Sequence, residues 1–530
     1  MFPHLCIFFL ILFSSCGKSQ SDRCQTAKLS ITSDPRMLDP RRARDLDSIT
    51  LIHMLFEGLT RTSKEGKTEL ALANDVEVSL DGLRYVFHLR TSFWSNEIPL
   101  TASDFATSWK TILDPKFATD IAYQLYPIKN ARRAKLGEVG IEAVGVQALD
   151  DATLVVELEQ PLPYFLELVS MTSFFPVPSS SVLQNENWCL SPETFVSNGP
   201  FFLHSWKHSD RVTLKKNNRY WESDAVKLSV IDFFVASPDT ALQMYEEGQL
   251  DWTGSPLSTI PADAIKNLIG SHRLEISPFL ATYFYRINTS PQYGGKNNPL
   301  ADQNLRKALA SSIDRDGIVT HVLQGGQKPA GSYVPPEMGL SPEGYLIDRQ
   351  HGFSQMLEEP ITISYSNTER NAAVAQAVQK QWENALGIKV QLEAVEPKVF
   401  FQRVSKKEYQ IAAGSWTADF NDPVNFLEVF KYKDGSTNNT GWENPEYIDL
   451  LNRSAISKSK ERIELLGQAE AILMEEMPII PVFHFALNYI KKPELSGVVL
   501  SPMGQLDLRW AYFEPSQYIK GVCDDSKQKN

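Results

Sequence analysis

The stretch ITISYSNTERNAAVAQAVQKQWENALGIKVQLEA, residues 361–394, decides the fold class. Ile361 to Tyr365 reads as a strand. Ala375, Val378, Trp382 and Leu386 then recur at helical spacing, and Gly387 supplies the residue that stops the helix. Ile388, Val390, Leu392 and Ala394 alternate immediately afterwards, as a second strand does. Strand, helix and strand make a right-handed βαβ crossover, hence a parallel sheet and an α/β protein. A helix from about Val399 and a strand at Tyr409 to Trp416 extend the unit. Ile463, Leu466, Leu473 and Met477 mark another amphipathic helix, stopped at Pro478.

Ligands of open parallel sheets settle beyond the carboxyl ends of strands. The segment Ser415-Trp416-Thr417-Ala418-Asp419-Phe420-Asn421-Asp422-Pro423 leaves such a strand with an aromatic platform, two acids and an amide. A carboxylate there suits a ligand cation; equally, Asp419 or Asp422 suits the cap of a turn or of the next helix. Earlier in the chain, Leu83, Tyr85, Phe87 and Leu89 alternate after the turn signal Asp81-Gly82. Thr101 to Leu113 reads as a helix capped by Thr101 or Ser103 and ended by Asp114-Pro115, and Leu154 to Leu158 alternates again.

A chain of 530 residues exceeds what one core supports, so two or three domains are expected. Acidic side chains outnumber basic ones 64 to 52, a net charge of −12 that repels phosphate backbones and excludes nucleic acid as a partner. Arg41, Arg42 and Arg44 are interleaved with Asp39, Asp45 and Asp47 and read as a mixed-charge surface. Chemistry is not legible: GxSxG, Walker, GxGxxG and HExxH motifs are all absent from the sequence. His204 and His208 have i, i+4 spacing but fall in strand and turn, where that spacing does not converge on a metal. The expectation is no enzyme, no catalytic residue, no cofactor and no metal.

Leu5 to Phe13 is an apolar run of signal-peptide length, followed by Ser14, Ser15 and Cys16. The reading is a lipoprotein-type signal peptide at 1–15, lipidation at Cys16 and a polar tether over 16–23. Cys24, Cys189 and Cys523 are widely spaced; export permits one disulfide among them, and buried inert thiols are the alternative.

Several segments together resemble the peptide-binding class of bacterial extracellular solute-binding proteins, the oligopeptide-binding family. They run in order from Phe56-Glu57-Gly58-Leu59, through Leu80 to Arg90 and Pro99 to Phe105, to Ser197-Asn198-Gly199-Pro200-Phe201. Asn217 with Tyr220-Trp221, Gly248-Gln249-Leu250-Asp251, Arg306-Lys307-Ala308-Leu309 with Ile313-Asp314-Arg315, and Trp416 to Pro423 complete the series. The resemblance implies a two-lobed periplasmic-binding-protein fold, type II, hinge-linked, with an extra subdomain in the first lobe. Lobe I would comprise 24–66, 190–288 and 493–530, the inserted subdomain 67–189, and lobe II 289–492. It implies a monomeric receptor on the periplasmic face of a bacterial membrane, with an oligopeptide ligand and the permease and ATPase subunits of an ABC importer as partners.

By the same resemblance Asp419 pairs with the ligand's α-amino group, a charge-assisted contact. Trp416, Thr417, Ala418, Phe279, Phe284, Asp34 and Arg36 match positions lining the cleft. Backbone pairing with an extended peptide and roomy hydrated side-chain pockets would give broad specificity. Some relatives carry a cysteine pair at the positions of Ala281 and Thr417, and some an arginine at Ala413 for the peptide carboxylate; this chain has neither. Arg403, Lys406 or Lys307 would then substitute. A specialised cargo on the same scaffold, murein peptide, nickel complex or haem, is the alternative, with a peptidase further removed.

Overall fold

The structure is a computed structural model that describes residues 25–514, apart from 180, 181, 183, 184, 186, 342, 343, 346–356, 358 and 436. The expectations for the signal peptide, Cys16, the tether, Cys24 and Cys523 lie outside the described residues.

In chain order the elements that matter are β1 (Thr26–Ile31), α1 (Leu46–Leu55), β2 (Ala73–Val78), β3 (Arg84–Leu89) and α2 (Ala102–Leu113). There follow β4 (Val146–Ala148), β5 (Thr153–Glu157), β6 (Phe201–Lys207), β7 (Arg211–Lys216), β8 (Val230–Val235) and β9 (Trp252–Gly254). The remainder comprises β10 (Glu275–Ile287), β11 (Ile361–Ser366), α3 (Glu369–Leu386), β12 (Val390–Val395), α4 (Pro397–Ser405), β13 (Ile411–Thr417), α5 (Ser459–Glu476) and β14 (Ile479–Lys491).

The βαβ unit forms as the periodicity requires. β11 and β12 pair in parallel from Ile361 opposite Val390 to Ser366 opposite Val395. Thr368 caps α3 by accepting from the Asn371 amide, and Gly387 ends the helix at φ 64°, where a Cβ would be strained. Trp382 is fully buried under the helix and donates its indole N–H to the Leu309 carbonyl at 2.8 Å. At α2 the Thr101 amide donates to the Asp104 carboxylate at 3.0 Å, which selects Thr101 over Ser103 as the cap. The stripe of α5 lies on Leu465, Leu466, Ala469 and Leu473, while Ile463 faces outward.

An eleven-stranded sheet runs in the order β12-β11-β13-β10-β14-β9-β1-β8-β7-β6, with the two-residue strand Lys328–Pro329 added against β14. A separate four-stranded antiparallel sheet, β2-β3-β5-β4, belongs to the segment expected as an insertion. Apolar side chains gather into two large cores. One holds residues from Ala27 to Leu257 together with Leu495, Leu506, Leu508 and Ala511, and the inserted segment packs in this same core. The other runs from Leu280 to Phe483. The two lobes are hinge-linked by the 13-residue strands β10 and β14, the longest of the large sheet.

Along β10 the ladder to β14 is regular from Glu275 to Pro278 and again from Thr282 to Tyr283, with a register shift between. Proline has no amide to donate, so a break after Pro278 is chemically natural. The freed Leu280 bonds elsewhere: its amide donates to the Pro502 carbonyl, and its carbonyl accepts from the Ala418 amide, each at 2.8 Å.

Candidate functional site

β13 delivers Trp416 and Thr417 to the space between the lobes, and the chain then turns. Asn425 fixes this turn from one atom: its Oδ1 accepts from the Trp416 indole at 2.9 Å and from the Asp419 amide at 3.3 Å. The two acids then separate in role. Asp422 accepts from the Val424 amide and is paired with buried Arg462 at 2.7 Å, so it is the turn cap. Asp419 has no cationic partner among the described residues. Burial raises its pKa above the ordinary aspartate value, partly offset by the Asn425 side chain. A carboxylate in that position is short of a cation.

Asp419 lines a cavity of about 460 Å³. Its walls come from the distant segments that carry Ala43, Tyr123, Met171, Met503, and Thr417 with Ala418. Across Phe279 and Thr417, which line both, lies a further cavity of about 610 Å³ bounded by Ser255, Gln327, Arg370, Phe485 and Asn488. A smaller space of about 190 Å³, also lined by Asp419, reaches Lys67 and Glu167. The first two volumes are those of small-ligand sites. Together they form a trough along the crossing strands.

Of the residues expected at the site, Asp419, Thr417, Ala418 and Phe279 converge on these cavities. Trp416 is half-buried and acts through its bond to Asn425. Phe284 does not line them: it is 0% exposed, packed edge-on to Tyr333 and Phe430 in the second core. β10 is central in a sheet covered on both faces there, so both parities of its side chains are buried. Asp34 instead holds a turn, accepting from the Trp206 indole at 3.1 Å and the Ser209 amide at 2.7 Å. Arg36 is exposed, and neither it nor Asp34 lines these cavities.

The substitutes for an arginine at Ala413 are also elsewhere. Arg403 pairs with Glu393 at 2.7 Å, Lys307 with Glu475, and Lys406 is exposed at the end of α4. Ala281 and Thr417, in contrast, are direct cross-strand partners of β10 and β13. Leu46, Tyr123, Met503 and Arg370 went unread in the sequence, because nothing in their local pattern announces convergence from four distant segments.

Phe56-Glu57-Gly58-Leu59 holds the fold. Glu57 is fully buried; burial pushes its carboxyl up, but Arg509 and Arg61 outweigh it and hold the group below the usual glutamate range. Tyr220, Trp221 and Arg509 donate to it at 2.7, 2.6 and 2.5 Å. Cys189 is buried and has no disulfide partner among the described residues, its thiol pushed up by burial to about 12. Among the described residues no cluster of three His, Cys, Asp or Glu side chains could hold a metal, and no helix is long and apolar enough to cross a membrane.

Comparison with known proteins places this geometry. Residues 67–438 match the model of the bacterial extracellular solute-binding proteins, family 5 Middle. The oligopeptide-binding protein OppA of Bacillus subtilis is 38% identical, with 96% of this chain and 98% of OppA covered. The murein tripeptide-binding protein MppA, in an unliganded open form, superposes with a TM-score of 0.81 at 28% identity, over 92% of this chain and 97% of that one. Haemophilus influenzae OppA in complex with RPPGFSPFR gives 0.74 at 27% identity, over 93% and 99%. The chain belongs to the bacterial extracellular solute-binding proteins, family 5.

Proposed function

We propose that this protein captures oligopeptides in the trough between its lobes and delivers them to the permease of an ABC importer without chemical turnover. The observation that carries the reading is Asp419, a carboxylate without a cationic partner among the described residues, facing an interlobe cavity. A peptide α-amine is cationic at neutral pH and meets it with a charge-assisted hydrogen bond. The ligands that the relatives are named for, oligopeptides and a murein tripeptide, support the same class. Thr417, Ala418 and Phe279 form the adjoining wall.

The same reading makes the chain a monomeric lipoprotein, cut before Cys16, acylated there and tethered by 16–23. Its lobes are 24–66 with 190–288 and 493–530, and 289–492, with 67–189 inserted in the first. Murein peptide is the second cargo, favoured by the superposition on MppA. Native mass spectrometry of the purified mature protein, followed by denaturing release, tests both. Intact short peptides support the receptor, muropeptides the second cargo, and cleaved products or no ligand with no binding on titration overturn the reading. Detergent phase partition of the Cys16→Ser form tests the anchor.

A further inference from the structure

β10 and β14 carry the chain between the two cores, and a further contact joins those cores through side chains alone. The rings of Tyr164 and Phe420 lie nearly parallel, with 4.7 Å between centroids and 8° between planes, and each ring packs against both cores. Tyr164 leads into the short helix Phe165–Leu168, whereas Phe420 stands in the turn after β13. The Arg462 guanidinium of α5 lies over the Tyr164 ring, 5.8 Å from its centroid, while it holds Asp422 of the same turn at 2.7 Å.

The contact is opposed from within. Glu167, one turn after Tyr164, has its Oε2 buried with no partner among the described residues. Burial first, then Asp422, raise its pKa, against the lowering effect of Arg462. Stacked rings hold the junction together and two facing acids push it apart. Its net strength is therefore modest, within the range that a ligand's preference for one arrangement can overcome.

The arrangement that contains this stack superposes on MppA in its unliganded open form with a TM-score of 0.81, against 0.74 for OppA in complex with RPPGFSPFR. It stands nearer to an open state than to a loaded one. Tyr164 lines none of the three cavities of the trough, so its effect on a ligand runs through the relative placement of the two cores.

We infer that the Tyr164–Phe420 stack is a clasp that holds the unliganded protein open and is given up on closure, so that Tyr164 limits peptide affinity without touching the peptide. Only the fraction of molecules free to close binds, and the measured affinity is lowered by that fraction. The inference rests on the peptide reading.

The test is small-angle X-ray scattering of the purified mature protein with and without alanyl peptides of three to six residues, together with calorimetric titration of the same peptides. Tyr164→Ala and Tyr164→Leu are expected to bind about three- to tenfold more tightly than wild type, the worth of one stacked pair. Their ligand-free radius of gyration moves toward the loaded one, and the loaded radius is unchanged. Tyr164→Phe keeps the ring and the wild-type affinity. Loss of packing alone lowers the melting temperature without tightening binding, so a rise in affinity separates a clasp from a structural role. Unchanged or weaker binding in both variants, or a gain in Tyr164→Phe equal to that in Tyr164→Ala, overturns the clasp and leaves the peptide receptor standing. Failure of every peptide to bind the wild type overturns both.

Discussion

The carbonyl of Leu280 accepts from the amide of Ala418 at 2.8 Å. One backbone bond thereby joins the break in the crossing strand to the segment that carries Asp419. β10 at that break and the Asp419 segment are thus held together by backbone, without an intervening side chain.

Asp419→Asn is expected to weaken binding of free-amine peptides by about 10- to 100-fold, the worth of a charge-assisted contact. Apo stability stays equal or rises slightly, because burial already disfavours the ionised carboxylate. Titration calorimetry and thermal melts on the same samples decide it; unchanged affinity removes Asp419 from the site.

Peptide affinity is expected to fall as pH drops into the raised titration range of Asp419, since the ligand ammonium binds the ionised form. It also falls above about pH 8, where the peptide amine deprotonates. A pH series of dissociation constants reads both limbs, and the acid limb disappears in Asp419→Asn.

Glu167 carries a separate pH dependence. Burial first, then Asp422, raise its pKa from 4.5 to about 7, against the lowering effect of Arg462. A carboxyl raised in the folded state favours folding below its unfolded pKa, and that contribution is lost as pH rises through about 7. Glu167→Gln should therefore flatten the decline in Tm between pH 5 and 8, with a gain on the order of 2 kcal/mol at the upper end. A decline of equal steepness in the variant would show that another group causes it.

Asp422→Ala strands Arg462 as a buried charge and removes the cap at Val424, so a loss of about 3 to 5 kcal/mol is expected in denaturant titration. The double change Asp422→Ala with Arg462→Met recovers much of it, because the cost lies in the unpaired ion.

Gly199→Ala places a Cβ 2.5 Å from the Leu55 carbonyl carbon and 2.6 Å from the Phe56 nitrogen, both backbone. Neither α1 nor the strand entry can yield, so stability should fall by about 2 kcal/mol or more. This is the physical content of Asn198-Gly199-Pro200, and soluble yield with an unchanged melting curve would contradict it.

The βαβ unit was legible because each of its elements is periodic over enough residues to exclude the other period. Ala375, Val378 and Trp382 are buried as the stripe requires. The trough was legible only in part. Asp419 and Asp422 stand three residues apart in one loop, and sequence could not tell which accepts the amide of Val424; Arg462, forty residues on, settles it. Phe279 and Phe284 looked equivalent, but they stand five apart on one strand and so on opposite faces, and Phe279 lines the trough while Phe284 is buried.

The second core runs continuously from Leu280 to Phe483, whereas the first is completed by Leu495, Leu506, Leu508 and Ala511. In the time order of synthesis, the second core has all its buried apolar residues before the first receives its last ones. The half that begins the chain is thus sealed at the end, and a polypeptide truncated near residue 490 would carry one finished core and one still open to water.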